Sequence, residues 1–349
     1  MAFSVAEGLT HFGAWHGDSS RYVDIVKVFI GTANAQERTV IGWHGILRPI
    51  VPFLASPLAY FLDPRTSIAV VNLIFYVFGT YMTYVFTKRL FTDEWIGLIA
   101  GVGYASAPSN LLFGPAILSD GAGYAMLIVS LYIAMFILEK NPTTRNAVRT
   151  GLVVGVGLLT KEVLVAVPLV LAFRFLHDRT KRGALNLMLV CVVGALIPLA
   201  WSFLIGKGYL TWYNEGVIYA DGSYNGILRN LKAFAVTLEW SYVVLLPFAF
   251  LGFFHLKNED MTLLCETFAA VMLVLIVWPT LPEYRFTFLT FPAVLASAAV
   301  GVNYAATNLA QRPILSRLSK PQWIILILAV AVLFTNYFFR NWIILACEA

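Results

Sequence analysis

The chain has 349 residues, of which 59% are hydrophobic and only 12% are charged, against roughly a quarter charged in an ordinary soluble domain. A mean hydropathy of +0.77 and successive apolar windows of about 20 residues exclude a soluble globular chain and set the class as an all-α, polytopic membrane protein. The net charge of +5 is modest and is explained by Lys and Arg in short loops, so nucleic acid is not implied as a partner.

In chain order, residues 1–65 read as an outer segment whose first 40 residues are polar and mixed, without a cleavable signal peptide. Within it, 19–31 (SSRYVDIVKVFIG) reads as an amphipathic helix lying in the membrane interface. Residues 46–62 (ILRPIVPFLASPLAYFL) are apolar but hold three prolines, which predicts a shallow or broken helix. About ten transmembrane spans are predicted, near 66–87, 94–113, 120–138, 147–160, 162–176, 183–206, 237–256, 261–279, 283–305 and 321–339. They form a first helix group (66–206), an outer loop (207–236) and a last helix group (237–349) of one membrane domain. Lipid offers the backbone no hydrogen bonds, so helices are the spanning element. The alternating pattern of a membrane β-barrel is absent.

One set of short loops carries Lys88, Arg89, Lys140, Arg145, Arg149, Arg174, Arg179, Lys181, Arg182, Lys257, Arg312, Arg317 and Lys320; the opposite set carries only Lys161 and Arg285, with Arg340 near the C-terminus. The first set is therefore expected in the cytoplasm. Residues 150–176 test this scheme. As one helix they would span about 40 Å with both flanks basic, so a hairpin is expected with Thr160, Lys161 and Glu162 at its outer turn. Ten spans put both termini outside, and a first helix running outward is expected to be missing before Asp18. Cys191, Cys265 and Cys347 are far apart, with no disulfide framework or metal spacing.

Charged residues recur at the ends of the apolar runs, and on this topology seven of them converge on one side: Asp18, Arg48, Asp120, Lys161, Glu162, Glu283 and Arg285. Charges near lipid are expensive, so convergence points to a site. Asp18 has two readings, a cap for the helix behind it or a carboxylate base for a hydroxyl acceptor. Asp24 is six residues on and on another helical face. Arg48 either snorkels to headgroups or binds phosphate. Asp120 opens a helix, where the dipole alone favours it; with Asp18 it makes a pair able to divide base and orientation roles, or to share a divalent cation such as Mg²⁺ or Mn²⁺. Lys161 and Glu162 interrupt an otherwise uncharged run and need partners at that depth. Glu283 and Arg285 (PEYRF) either anchor a helix beside Trp278 and Tyr284 or supply a planar phosphate donor. The loop with Tyr209, Trp212, Tyr213, Tyr219 and Tyr224 suits either sugar stacking or an aromatic interfacial belt. His16 and His44 read as interfacial. No P-loop, GxSxG, HExxH or CxxC motif is present.

The order of these motifs (Asp18 before the Tyr22 helix, then RPIVPFLASPLAYF, LSD, GVGLLTKE and PEYRFTFLTFP) resembles the GT-C superfamily of integral-membrane glycosyltransferases, in the flavour of protein O-mannosyltransferases and aminoarabinose transferases. The resemblance covers about residues 15–305. It implies a polyprenyl-phosphate sugar donor and a lipid, glycan or protein acceptor. It implies catalytic acids at Asp18 and Asp120, donor-phosphate contacts from Lys161, Arg285 and Arg48, and support from Glu162, Glu283, Tyr22 and Asp24. The expected reaction is inverting transfer to a hydroxyl, with Asp18 as base, on the non-cytoplasmic face of a cell membrane or endomembrane. Membrane lipids are the other expected partners. A transporter or flippase of a lipid-linked or anionic solute is the rival class, and a non-catalytic membrane scaffold is a third. No large soluble C-terminal domain, such as some members have, is expected within these residues.

Overall fold

A computed structural model describes residues 18–177, 179–208, 244–276, 288–313 and 317–348, with isolated positions 13, 210, 231, 242 and 315; the side chain of His44 and those beyond Tyr337 lie outside the description. Among the described residues the chain is helical throughout, with no strand.

Helix α1 (Ser19–Phe29) buries Ser19, Tyr22, Ile25 and Val26 on one face, as the predicted amphipathic helix requires. The proline-rich stretch is broken as expected. Short α2 (Ile50–Ala55) gives way to a single 3₁₀ turn (Leu58–Tyr60), and Phe53, Tyr60 and Phe61 stay exposed. Helix α3 (Pro64–Phe91) starts at Asp63, whose carboxylate accepts from Thr66 N, with Pro64 in the first turn where its missing N–H costs nothing. Asp93 likewise caps α4 (Glu94–Ser106) by accepting from Trp95 N and Ile96 N.

The span predicted at 94–113 is two helices. Ala107 is extended because Pro108 follows it, and α5 (Pro108–Phe113) restarts beyond. A buried irregular stretch, 114–119, leads into α6 (Asp120–Ile133), which ends in a π turn at Ala134–Leu138. Helix α7 (Thr144–Leu158) and α8 (Ala166–His177) are the arms of the predicted hairpin. At its far end α8 is tied to the end of α6, where Arg174 Nε lies 3.1 Å from Glu139 Oε1, while Thr160, Lys161 and Glu162 sit in the turn between the two arms. Helix α9 (Lys181–Leu204) is the most apolar span. It packs on α7 through Gly151, Gly155 and Gly194, where a Cβ at Gly155 would sit 2.7 Å from Ile197 Cδ1. Small residues of this kind let membrane helices approach closely.

The last group holds α10 (Leu245–Phe253), α11 (Asn258–Ile276), α12 (Phe291–Gln311) and α13 (Lys320–Glu348). Helices α10 and α12 cross at Gly252 and Gly301, α12 reaches α4, and α11 packs on α8. Among the described residues five helical segments are long and apolar enough to cross a membrane: Pro64–Phe91, Asp120–Leu138, Lys181–Leu204, Phe288–Gln311 and Lys320–Tyr337. In the other predicted spans the described residues form shorter or more polar helices. One apolar core runs from Tyr22 to Ala298 and joins the two helix groups.

Candidate functional site at one end of the bundle

Four stretches far apart in sequence meet at the end of the bundle where α6 begins. The apolar face of α1 carries Tyr22 inward, and its hydroxyl lies 2.8 Å from Ser119 Oγ. Ser119 directly precedes Asp120, the first residue of α6. In the hairpin turn, Lys161 Nζ donates to Asp120 Oδ1. The neighbouring Glu162 receives Arg48 Nε at 2.7 Å from Oε1. The turn is also tied to the start of α2 by a hydrogen bond from Ile50 N to Leu159 O.

Local sequence explains how the lysine reaches its partner. Gly123 stands one turn into α6, and a Cβ there would lie 2.8 Å from Lys161 Cβ and 2.9 Å from its Cδ. Only a bare backbone lets the lysine stem lie along the helix. Burial makes both pairs consequential, because side-chain exposure is 2% and 3% for Lys161 and Asp120, and 13% and 4% for Arg48 and Glu162. Charges so removed from water survive only when paired. Burial alone pulls the Arg48 guanidinium down, but the Glu162 carboxylate and the Tyr22 oxygen outweigh it and hold the guanidinium above its ordinary value. Burial also pushes the Tyr22 phenol up, against the pull of Arg48, so Tyr22 stays protonated.

Asn72 belongs to this assembly and was not among the sequence candidates. It is fully buried in α3, and its Nδ2 donates to Ala116 O and, at 2.7 Å, to Leu118 O. It thereby holds the irregular stretch that delivers Ser119 and Asp120. An amide inside an apolar span is the signal that would have marked it.

Comparison with known proteins adds the fold's identity. Residues 48–205 match the family model described as dolichyl-phosphate-mannose-protein mannosyltransferase. The structure is similar to that of ArnT from Cupriavidus metallidurans bound to undecaprenyl phosphate, with a TM-score of 0.63 and 13% identity over 97% of this chain and 71% of that one. Against ArnT from the same organism in the apo state the TM-score is 0.65, with 12% identity over 96% of this chain and 74% of that one. No curated protein matches the chain in a sequence comparison. This is an integral-membrane chain with the GT-C fold.

Within this fold the predicted residues do not all share one place. Asp18 stands at the N-cap position of α1, and its carboxylate makes no capping hydrogen bond there. It lies one turn before Tyr22, whose N–H donates to the Asp18 carbonyl at 3.2 Å. Asp24 goes elsewhere: with Arg21, Gln36, Thr39 and Trp43 it lines a separate polar cavity of about 420 Å³. Asp24 therefore supports that cavity rather than the Asp120 pair, because it leaves the helix on another face. Glu283, Arg285, His16 and the aromatic loop residues Tyr209, Trp212, Tyr213, Tyr219 and Tyr224 lie outside the described residues. Among the described residues no three His, Cys, Asp or Glu side chains come together in a metal-binding group, and Asp120 is engaged by Lys161. A shared Mg²⁺ or Mn²⁺ at Asp18 and Asp120 would need several oxygen ligands and would have to displace that ammonium.

Proposed function

We propose that this GT-C chain transfers a sugar from a polyprenyl-phosphate donor to an acceptor hydroxyl, inverting the anomeric centre. The observation that carries the reading is the convergence of Tyr22, Arg48, Asp120, Lys161 and Glu162 at one end of a fold that ArnT shares. Asp18, uncapped and one turn from Tyr22, is the base. Its carboxylate takes the acceptor O–H proton, the oxygen bonds to the anomeric carbon, and the bond from that carbon to the phosphate oxygen breaks on the opposite face. Polyprenyl phosphate leaves with the bonding pair.

Arg48 is the first contact for the leaving phosphate. Its Nε is committed to Glu162 and its fork also meets the Tyr22 oxygen, and the donors that are left are the proposed contacts for phosphate oxygens. Arg285 is the second proposed contact. Lys161 is more deeply buried and holds Asp120, so it acts on the phosphate by fixing the local field. Preorganised charge of this kind is worth about 10²–10³ in rate per lost contact. The opposite end of the bundle carries Lys88, Arg89, Lys140, Arg174 and Arg182, which supports a site on the non-cytoplasmic face.

The test is transfer from labelled polyprenyl-phosphate sugars by the purified protein in lipid. Asp18→Asn is expected to fold normally and to transfer nothing; normal turnover by that variant removes Asp18 from the mechanism. The deep Lys161–Asp120 pair also suits a transporter of an anionic solute. Solute flux in sealed vesicles, with no sugar transfer, would favour that reading instead.

A further inference from the structure

A second polar assembly lies at the other end of the hairpin, about the length of α7 from Lys161. A cavity of about 550 Å³ opens there between the end of α8 and the start of α9, and Glu139, Arg174, His177, Thr180, Arg182 and Asn186 line it. We propose that this cavity binds a phosphodiester headgroup of a membrane lipid, apart from the donor site.

Three observations carry this. First, Asn186 is only 6% exposed and lines the cavity, yet its side chain has no hydrogen-bond partner among the described residues. The amide's own polar atoms are not sealed off, so it reaches the cavity, where a ligand oxygen can pair with it. Second, the cavity meets the start of a 24-residue helix. Thr180 Oγ1 caps it by accepting from Gly183 N at 3.0 Å, and the other first-turn N–H groups have no intrahelical acceptor and favour an anion.

The third observation is the charge balance. Arg174 is already shared by Glu139, at 3.1 Å, and Glu266, at 3.5 Å, and His177 Nδ1 lies 3.1 Å from Glu266 Oε1. Arg182 is exposed and pairs with no acid among the described residues. With Arg174 set between the carboxylates of Glu139 and Glu266, Arg182 is, among the described residues, the one uncommitted permanent cation that lines the cavity. That suits the single negative charge of a phosphodiester better than the higher charge of free phosphate. A lipid source also fits the surroundings, because Leu176, Leu185 and Met188 are exposed and apolar on the flanking helices, where acyl chains would run.

The experiment uses the purified full chain in detergent micelles and follows binding of dioleoyl-phosphatidylglycerol by native mass spectrometry. Saturable binding is expected, with no binding of dioleoylglycerol, which lacks the phosphate. Arg182→Ala and Asn186→Leu are each expected to weaken it about tenfold, while Arg317→Ala, at an exposed basic position elsewhere, leaves it unchanged. Arg182 is solvent-exposed, so its variant keeps the fold if the Asn186 variant does not. Wild-type affinity in Arg182→Ala overturns the proposal. Competition by inorganic phosphate at equal concentration also overturns it, by assigning the cavity to the free ion. The readout needs no sugar transfer, so its failure is separable from failure of the proposed reaction.

Discussion

The Arg48–Glu162 pair allows a quantitative test of how the site end is held together. Arg48 Nε sits 2.7 Å from Glu162 Oε1, and Glu162 Oε2 is buried without a partner among the described residues. Replacing Arg48 with Met therefore leaves a carboxylate with 4% side-chain exposure and neither oxygen paired. Removing one member of a buried pair costs about 3–5 kcal/mol. Arg48 keeps 13% exposure, so the expected loss is at the lower end, about 3 kcal/mol. Glu162→Gln keeps a carbonyl acceptor for the guanidinium and should cost about 1–2 kcal/mol. The double variant carries a neutral amide where an orphaned charge would stand. It should lose about 2 kcal/mol in total, which leaves a coupling energy of about 2 kcal/mol or more. Equilibrium unfolding in mixed detergent–SDS micelles, followed by tryptophan fluorescence, measures all four corners. A coupling energy within about 0.5 kcal/mol of zero would mean that the two side chains are independent, and the reasoning about the pair would fail.

Further outcomes follow from the same geometry. Asn72→Ala removes the donor of two buried hydrogen bonds and is expected to cost about 2–3 kcal/mol and to slow transfer; unaltered kinetics in a stable Asn72→Ala protein would sever Asn72 from the site. At the α10–α12 crossing, a Cβ on Gly252 would fall on the Ser297 carbonyl, and one on Gly301 on the Phe248 carbonyl. Either glycine-to-alanine change should cost about 3 kcal/mol in a thermal unfolding assay, because backbone cannot step aside; wild-type stability would refute that close approach. Burial raises the Tyr22 phenol above its ordinary 10.0, so the native state keeps this proton when the unfolded chain has lost it. Stability should then fall as pH rises past about 10. Tyr22→Phe should remove its share of that slope, and an unchanged slope would argue against the buried phenol.

Much of this architecture is legible in the residues alone. Apolar run length identifies a helical membrane protein. The three prolines of 46–62 announce a broken element, and the basic flanks around 150–176 call for the reversal of the chain that Thr160, Lys161 and Glu162 make. Lys161 and Glu162 mark themselves as a site because isolated charge is costly in an apolar run. Their partners are a different matter. Adjacent in sequence, the two side chains point to different neighbours, Lys161 to Asp120 and Glu162 to Arg48, across separations of 41 and 114 residues. No local pattern encodes such pairings, because they depend on which helices pack together and at what depth.

The composition and spacing of this chain thus settled its class, its helical punctuation and which charges demanded an explanation, since those follow from the cost of placing backbone and charge in lipid. Three-dimensional packing alone decided that Asp24 turns to another cavity, that Asn72 holds the approach to Asp120, and that a second polar assembly forms around Arg174. Each of these rests on contacts between distant segments, where shape and desolvation select one partner from many of the same chemical type.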